Sequence, residues 1–274
     1  MKRYRIISVD FDSRALNLDT IQEDWEEHVK ELHRRNQERL IASLKAEFGE
    51  RNFDVKLANF KELGPKTFSV VAFHNRFLEQ ARQSFVHCLY YPALTAACAL
   101  GERVLNHLVL GLRDSYTSHP SYKKVYRRDS LDNWTLAIDV LVEWEVLTTE
   151  AAASLRLLNE KRNNALHFNL STEINDRQLA LEAIKNIEEI VSHQFSGFGQ
   201  LPWLLPTLGE CYIKKEYEHS PFVQMVYLPN CAYLGYKHIV TSVLPWTFKD
   251  CDDYPNKEVS DEEFLRLRSE SSER

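Results

Sequence analysis

Glycine and proline are scarce, at 8 and 9 of 274 residues. That excludes a loop-rich, collagen-like or low-complexity chain. Paired cysteines are missing too. Cys88, Cys98, Cys211, Cys231 and Cys251 are odd in number and contain no Cys-x-x-Cys. This fits reduced thiols in a cytosolic protein better than a disulfide framework. The last three are evenly spaced, but no neighbouring histidine pair completes a zinc-like set. No metal and no other cofactor is therefore expected. No apolar run is long enough for a signal peptide or a membrane span, so the chain is expected to be cytoplasmic, with no membrane partner. There is no Gly-rich phosphate loop. A basic excess is lacking as well, the formal net charge being −6. That argues against a dedicated, sequence-independent binder of nucleic acid. The acid is concentrated in the last stretch, so the body before it is near neutral and can still carry a local basic patch.

What is present is a globular composition, 44% hydrophobic and 27% charged, sufficient for a sizeable core. Residues 3–10 read as a short strand, with Ile6, Ile7 and Val9 β-branched. Thr20 and Glu23 form a capping box ahead of a long amphipathic helix that Gly49 stops. Packing on the main body is the plainer expectation for that helix, and a dimerisation arm is the alternative. Residues 50–68 read as a connector. Helical pattern resumes near Phe68 and breaks at Tyr90-Tyr91-Pro92. A second helix, about 92–113, follows with the small residues Ala93, Ala96, Ala97, Ala99 and Gly101, which let another helix approach closely. Ser130 is expected to cap a third helix, Thr148 to start a fourth, and a last one runs from about Asp176 to His193. Beyond Phe195, the stretches Glu210–Glu216, Phe222–Tyr227 and Ala232–Ser242 read as short strands, which the N-terminal strand could join. Ser260 and Glu263 form a second capping box before a short terminal helix. The fold class is thus mainly α. The expected parts are an N-terminal strand and long helix (1–66), a helical bundle (67–195) and a β-rich extension with a short helix and acidic tail (196–274).

Two stretches suggest chemistry. In the loop 114–129, Lys123, Lys124, Arg127 and Arg128 interleave with Tyr122 and Tyr126. Basic side chains neutralise phosphates and tyrosines stack on bases, which makes the loop a candidate RNA contact. The plainer alternative is a solvated loop that its tyrosines tack onto the bundle. The second stretch closes the fourth helix with Arg162, Asn163, Asn164 and His167. Arginine and histidine five apart lie about 140° apart on an ideal helix, so they converge more readily across a symmetry axis than within one chain. The chemistry of such a pair is phosphodiester transfer. Histidine titrates near neutrality and can move a proton at a ribose 2′-hydroxyl or a 5′ leaving oxygen. Arginine stabilises the extra charge on the transition-state phosphate. The implied substrate is RNA, since the route needs a 2′-hydroxyl. On spacing alone, the same residues also make a plain C-terminal helix cap.

Arg162-Asn163-Asn164-Ala165-Leu166-His167 resembles the Arg-polar-x-x-x-His signature of the HEPN superfamily. Ala81–Leu112, a small-residue run leading to Glu102 and then aliphatics, is similar to the first two helices of that family. The resemblance covers about residues 68–195. It implies a HEPN-like antiparallel helical bundle that dimerises through the motif-bearing face. It further implies a metal-independent endoribonuclease of toxin–antitoxin or antiviral-defence type, with Arg162, His167 and Asn163 catalytic. Glu102 and Asn164 would be supporting groups, and an antitoxin or regulatory protein a partner. Other family members are non-catalytic dimerisation or nucleotide-binding modules, which is the alternative.

Overall fold

In a computed structural model, the chain is described over residues 1–274 apart from Thr20, 167–169, Leu244, Asp252, Asn256 and 273–274. For 164–166, 170–173 and 272 only the backbone is described. The chain begins with two strands, β1 (Lys2–Ile6) and β2 (Val9–Asp12), and a 3-10 turn at Arg14–Leu18. Helix α1 (Glu27–Phe48) starts later than the Thr20–Glu23 capping box suggests, and its N-cap Glu26 makes no side-chain cap. The intervening residues instead fold back along the helix. Gln37 donates to the Asp19 carbonyl at 2.7 Å, and Trp25 stacks on His33 at 5.1 Å.

The expected connector 50–68 contains a helix, α2 (Phe53–Leu63). It is set off by left-handed Asn52 (φ 56°) and by Gly64 (φ 73°). Phe60 and Leu63 are buried along it, but charged residues between the apolar ones mask the period in the sequence. Phe68 belongs to strand β3 (Lys66–Val70), paired antiparallel with β2 through Val9–Val70 and Asp10–Ser69. The helix expected from Phe68 therefore begins at Asn75, as α3 (Asn75–Val86). Lys66 locks this small sheet down, with its ammonium 2.9 Å from Asp10 and 2.8 Å from Glu79 of α3.

Next comes the central helix α4 (Tyr90–Leu112), entered after left-handed Cys88 (φ 63°). Pro92 falls in its first turn, where no intrahelical N–H is needed. Helix α5 (Trp134–Glu143) is capped by Asn133, whose side chain accepts from Leu136 N at 3.0 Å, and not by Ser130. Helix α6 (Thr149–Leu166) starts where Thr148 Oγ1 accepts from Ala151 N at 3.1 Å. Helix α7 (Leu170–Phe195) is irregular at Asn175. α4 packs against α3, α5, α6 and α7, and eleven of its residues are buried, including Leu100, Gly101, Val104, Leu105 and Leu108.

The remainder alternates: β4 (Leu204–Thr207), β5 (Glu210–Ile213), α8 (Pro221–Val226), β6 (Cys231–Gly235), β7 (Ile239–Val243), β8 (Trp246–Lys249) and α9 (Asp261–Ser272). The expected strand Phe222–Tyr227 is helical. Phe222, Val223, Val226 and Tyr227 are all buried, a helical spacing and not an alternation. β1 sits inside the sheet β4–β5–β1–β6, so the N-terminal strand does join the C-terminal ones. Ser260 caps α9, accepting from Glu263 N at 3.2 Å. The architecture is mainly helical with a small strand-rich C-terminal part. Among the described residues, no helix is long and apolar enough to cross a membrane.

Gly101 sets the approach of α4, α5 and α6. A Cβ there would lie 2.4 Å from the Trp134 ring and 2.8 Å from Leu158. Gly101→Ala is expected to destabilise the fold by about 1–3 kcal/mol through overpacking. Urea unfolding followed by far-UV circular dichroism checks this. An unchanged midpoint would mean that the two side chains give way freely.

Candidate functional site

The bundle brings Arg162 and Glu102 together. Glu102 lies midway along α4, and Arg162 lies in the last turns of α6. An Arg162 guanidinium N–H donates to Glu102 at 2.9 Å. Trp134, the first residue of α5, donates its indole N–H to the same carboxylate oxygen at 3.4 Å. The Arg162 guanidinium carbon stands 5.7 Å from the centre of the Trp134 ring. Trp134 is itself buried against Gly101. Three helices therefore fix one arginine: a charge partner from α4, an aromatic surface from α5 and the backbone of α6. Cation–π contact and the charge-assisted hydrogen bond act on the same planar group. The pair is only partly buried, the side chains being 23% and 38% exposed, so solvent reaches the guanidinium.

The neighbours set the chemistry available. Cys98, on the buried face of α4, has its thiol pushed up to about 11 by burial, against smaller opposing effects of Arg162 and Lys161. It is not a thiolate nucleophile at neutral pH. Lys161 is engaged by Glu182 of α7 at 2.7 Å. Asn106, one turn beyond Glu102, ties the loop to α4 by accepting from Leu131 N at 2.7 Å and donating to the Leu131 carbonyl at 2.9 Å. Among the described residues, no cluster of three or more His, Cys, Asp or Glu side chains is placed to hold a metal ion.

Of the other residues singled out in the sequence, Asn163 is exposed on α6. Asn164 belongs to the same helix, with its side chain outside the description, and His167 lies outside the described residues. The basic loop is held to the body by buried Ser121 and Val125 and by Tyr116, stacked on Trp144 at 4.6 Å. Lys123, Lys124, Arg127 and Arg128 are exposed. Lys124 pairs with Glu143 at 2.9 Å. Arg127 lies over Tyr126 at 5.0 Å, and Tyr126 is tilted against Tyr122 at 5.6 Å. Glu143 closes α5 and Trp134 opens it, so the Lys124 end of the loop is roughly 13 Å along that helix from Arg162's platform. Trp134 is the site residue that sequence reasoning placed only in the core. The signal that could have marked it is the glycine at 101, the gap that a large ring fills.

Comparison with protein-family models, with curated proteins and with solved structures finds no match to this chain.

Proposed function

We propose that the chain is a metal-independent endoribonuclease of HEPN type, a toxin or antiviral-defence effector that cuts RNA by 2′-hydroxyl attack. The observation that carries the reading is Arg162, held by Glu102 on the Trp134 ring at the end of α6 and still open to solvent. In this reading the protein is a homodimer through the α6 face, so that two copies of Arg162 and His167 share one cleft. His167 moves the proton, Arg162 meets the phosphate and Asn163 orients them. The exposed Lys123, Arg127 and Arg128 side chains, with Tyr122 and Tyr126, supply a contact for the RNA strand. An antitoxin or regulatory protein would restrain the activity. The test is purified protein with RNA in excess chelator, beside His167→Ala. Cleavage by the wild type and none by the variant is expected. No cleavage, or equal cleavage by both, sinks the proposal.

A second reading has its own observation. The Glu102–Arg162 pair joins α4 to α6 across Trp134, which is what a helix staple in a non-catalytic interaction module or nucleotide-binding module would look like. The two readings predict different effects of substituting Arg162.

A further inference from the structure

A cavity of about 470 Å³ opens beside α4, walled by Phe73, Arg103, His107, Leu110, Asp129 and Met225. That volume is within the range of small-molecule sites. Its floor is apolar, formed by Leu110 and by Met225 of α8. Met225 sits against Gly111, where a Cβ would lie 2.7 Å from its sulfur. Asn106 also borders the cavity, but its side chain is already committed to Leu131 and to the Glu102 carbonyl.

The polar walls give the cavity a direction. His107 stacks on Phe73, with ring centres 4.4 Å apart and planes 15° apart. Phe73 is braced edge-on by Phe195 at 5.7 Å. Among the described residues, no ring covers the other face of His107. Partial burial, and after it the charge of Arg103, hold the imidazole below its ordinary pKa. Its charged form is therefore a minority at pH 7, and the ring stacks as an aromatic. Arg103 is one turn earlier on α4, roughly 6 Å from His107. Its guanidinium lies over the Phe77 ring at 4.4 Å, and that of Arg76 stands 5.9 Å from the same ring. Among the described residues, neither arginine has an ion pair. Two uncompensated guanidiniums at one end favour an anion there. Asp129, exposed at the loop side, repels an anion and accepts from hydroxyl or amino groups.

We infer that this cavity seats one nucleotide. The base continues the Phe73–His107 column, the phosphate meets Arg103 with Arg76 beside it, and Asp129 accepts from the ribose or the base edge. A flat ring and an anion about one helical turn apart are what the walls match, and a nucleotide carries both. The nucleotide is free, or it is one unit of an RNA strand running from the basic loop, which ends at Asp129, toward Arg162, whose partner Glu102 precedes Arg103. The seat does not require Arg162 to be catalytic.

Calorimetric titration of the full chain with adenosine 5′-monophosphate at low salt tests it. One saturable site is expected. Arg103→Gln is expected to weaken it about tenfold or more, and His107→Ala about fivefold or more, as for loss of a base–aromatic stack. Met225→Trp, which fills the cavity, is expected to abolish it. Arg103 and His107 are exposed, so those two variants are expected to fold, which far-UV circular dichroism checks, and they decide the matter if Met225→Trp does not fold. Anisotropy of a labelled hexaadenylate is measured in the His167→Ala background, where the proposed cleavage cannot consume the probe. A hexamer bound at least tenfold tighter than the mononucleotide, with the same dependence on Arg103 and His107, assigns the seat to a strand, and equal binding assigns it to a free nucleotide. Binding of neither probe overturns the inference. So does binding indifferent to Arg103→Gln and His107→Ala, or displacement of the mononucleotide by inorganic phosphate at equal concentration. A chain that seats the nucleotide but cuts no RNA loses the ribonuclease reading alone. One that cuts RNA at the wild-type rate with Arg103→Gln, and binds neither probe through the cavity, loses this inference alone.

Discussion

Glu210→Gln is expected to lower the melting temperature by about 6–12 °C, the consequence of losing about 3 kcal/mol when a buried charge is stranded. Glu210 is a carboxylate held between an arginine of the C-terminal sheet and an arginine of α9. It lies 3.0 Å from Arg5 of β1 and 2.7 Å from Arg268 of α9, and the Tyr212 hydroxyl also donates to it. All three charged side chains are at most 14% exposed. His238 cannot take over. It accepts from Arg5 on Nε2 at 2.7 Å and donates from Nδ1 to the Gly235 carbonyl at 2.7 Å. Burial holds its imidazole below its ordinary pKa, and an imidazole brings no negative charge to the arginines. Glutamine keeps the shape but takes the Glu210 charge away from both guanidinium groups. The pH dependence carries the same signature. Burial alone would raise Glu210, but the hydrogen bonds from Arg268 and Tyr212 and the charge of Arg5 outweigh it and hold it at about 2. A carboxyl lowered in the folded state stabilises above its unfolded pKa of about 4.3, and that share is lost as pH falls toward 2. Thermal unfolding from pH 6 to 2.5 should therefore fall less steeply in Glu210→Gln than in the wild type. A variant with wild-type melting and wild-type acid sensitivity would show that the arginines find their compensation elsewhere.

That cluster marks the limit of what the sequence discloses. The helices around α4 were legible because their apolar residues recur at three and four and their small residues gather at 93–101. A run such as Leu94, Ala97, Gly101, Val104, Leu105 and Leu108 has few other uses. The insertion of β1 between β5 and β6 could be suspected from β-branched residues at both chain ends. Its register could not, since it depends on partners more than 200 residues away, as in Arg5 facing Ala232. Arg3 and Arg5 look like surface charges beside Met1, yet both are buried, because Asp261 and Glu210 arrive from the far end of the chain. Strand β3 failed for a related reason. Lys66-Thr-Phe-Ser-Val70 is extended because β2 and Glu79 receive it, and its own pattern gives no period. At the candidate site, the motif pointed to Arg162, and the family resemblance, not its spacing, pointed to Glu102. Trp134 as the surface under the guanidinium follows from tertiary packing alone.

Arg162→Lys and Glu102→Gln separate the two readings of that site by magnitude. If Arg162 meets the phosphate in the transition state, lysine in its place is expected to cost about 10²–10³-fold in cleavage rate, because it keeps the charge but loses the planar fork. Glu102→Gln should then cost less than about tenfold, since glutamine retains an acceptor and the Trp134 ring still supports the guanidinium. Stability should barely move in either, as a pair this exposed contributes at most about 1 kcal/mol. If Arg162 is only a staple, the stability changes stay as small and the rate effect is absent. Both substitutions would shift the unfolding midpoint by a similar small amount, a double-mutant cycle would return one coupling energy for the pair, and RNA would be untouched in every case. Initial rates on a fluorogenic oligoribonucleotide, measured beside urea unfolding of the same four proteins, give both quantities. A cleavage rate that falls equally with Arg162→Lys and Glu102→Gln, in proportion to lost stability, would remove the catalytic role from Arg162.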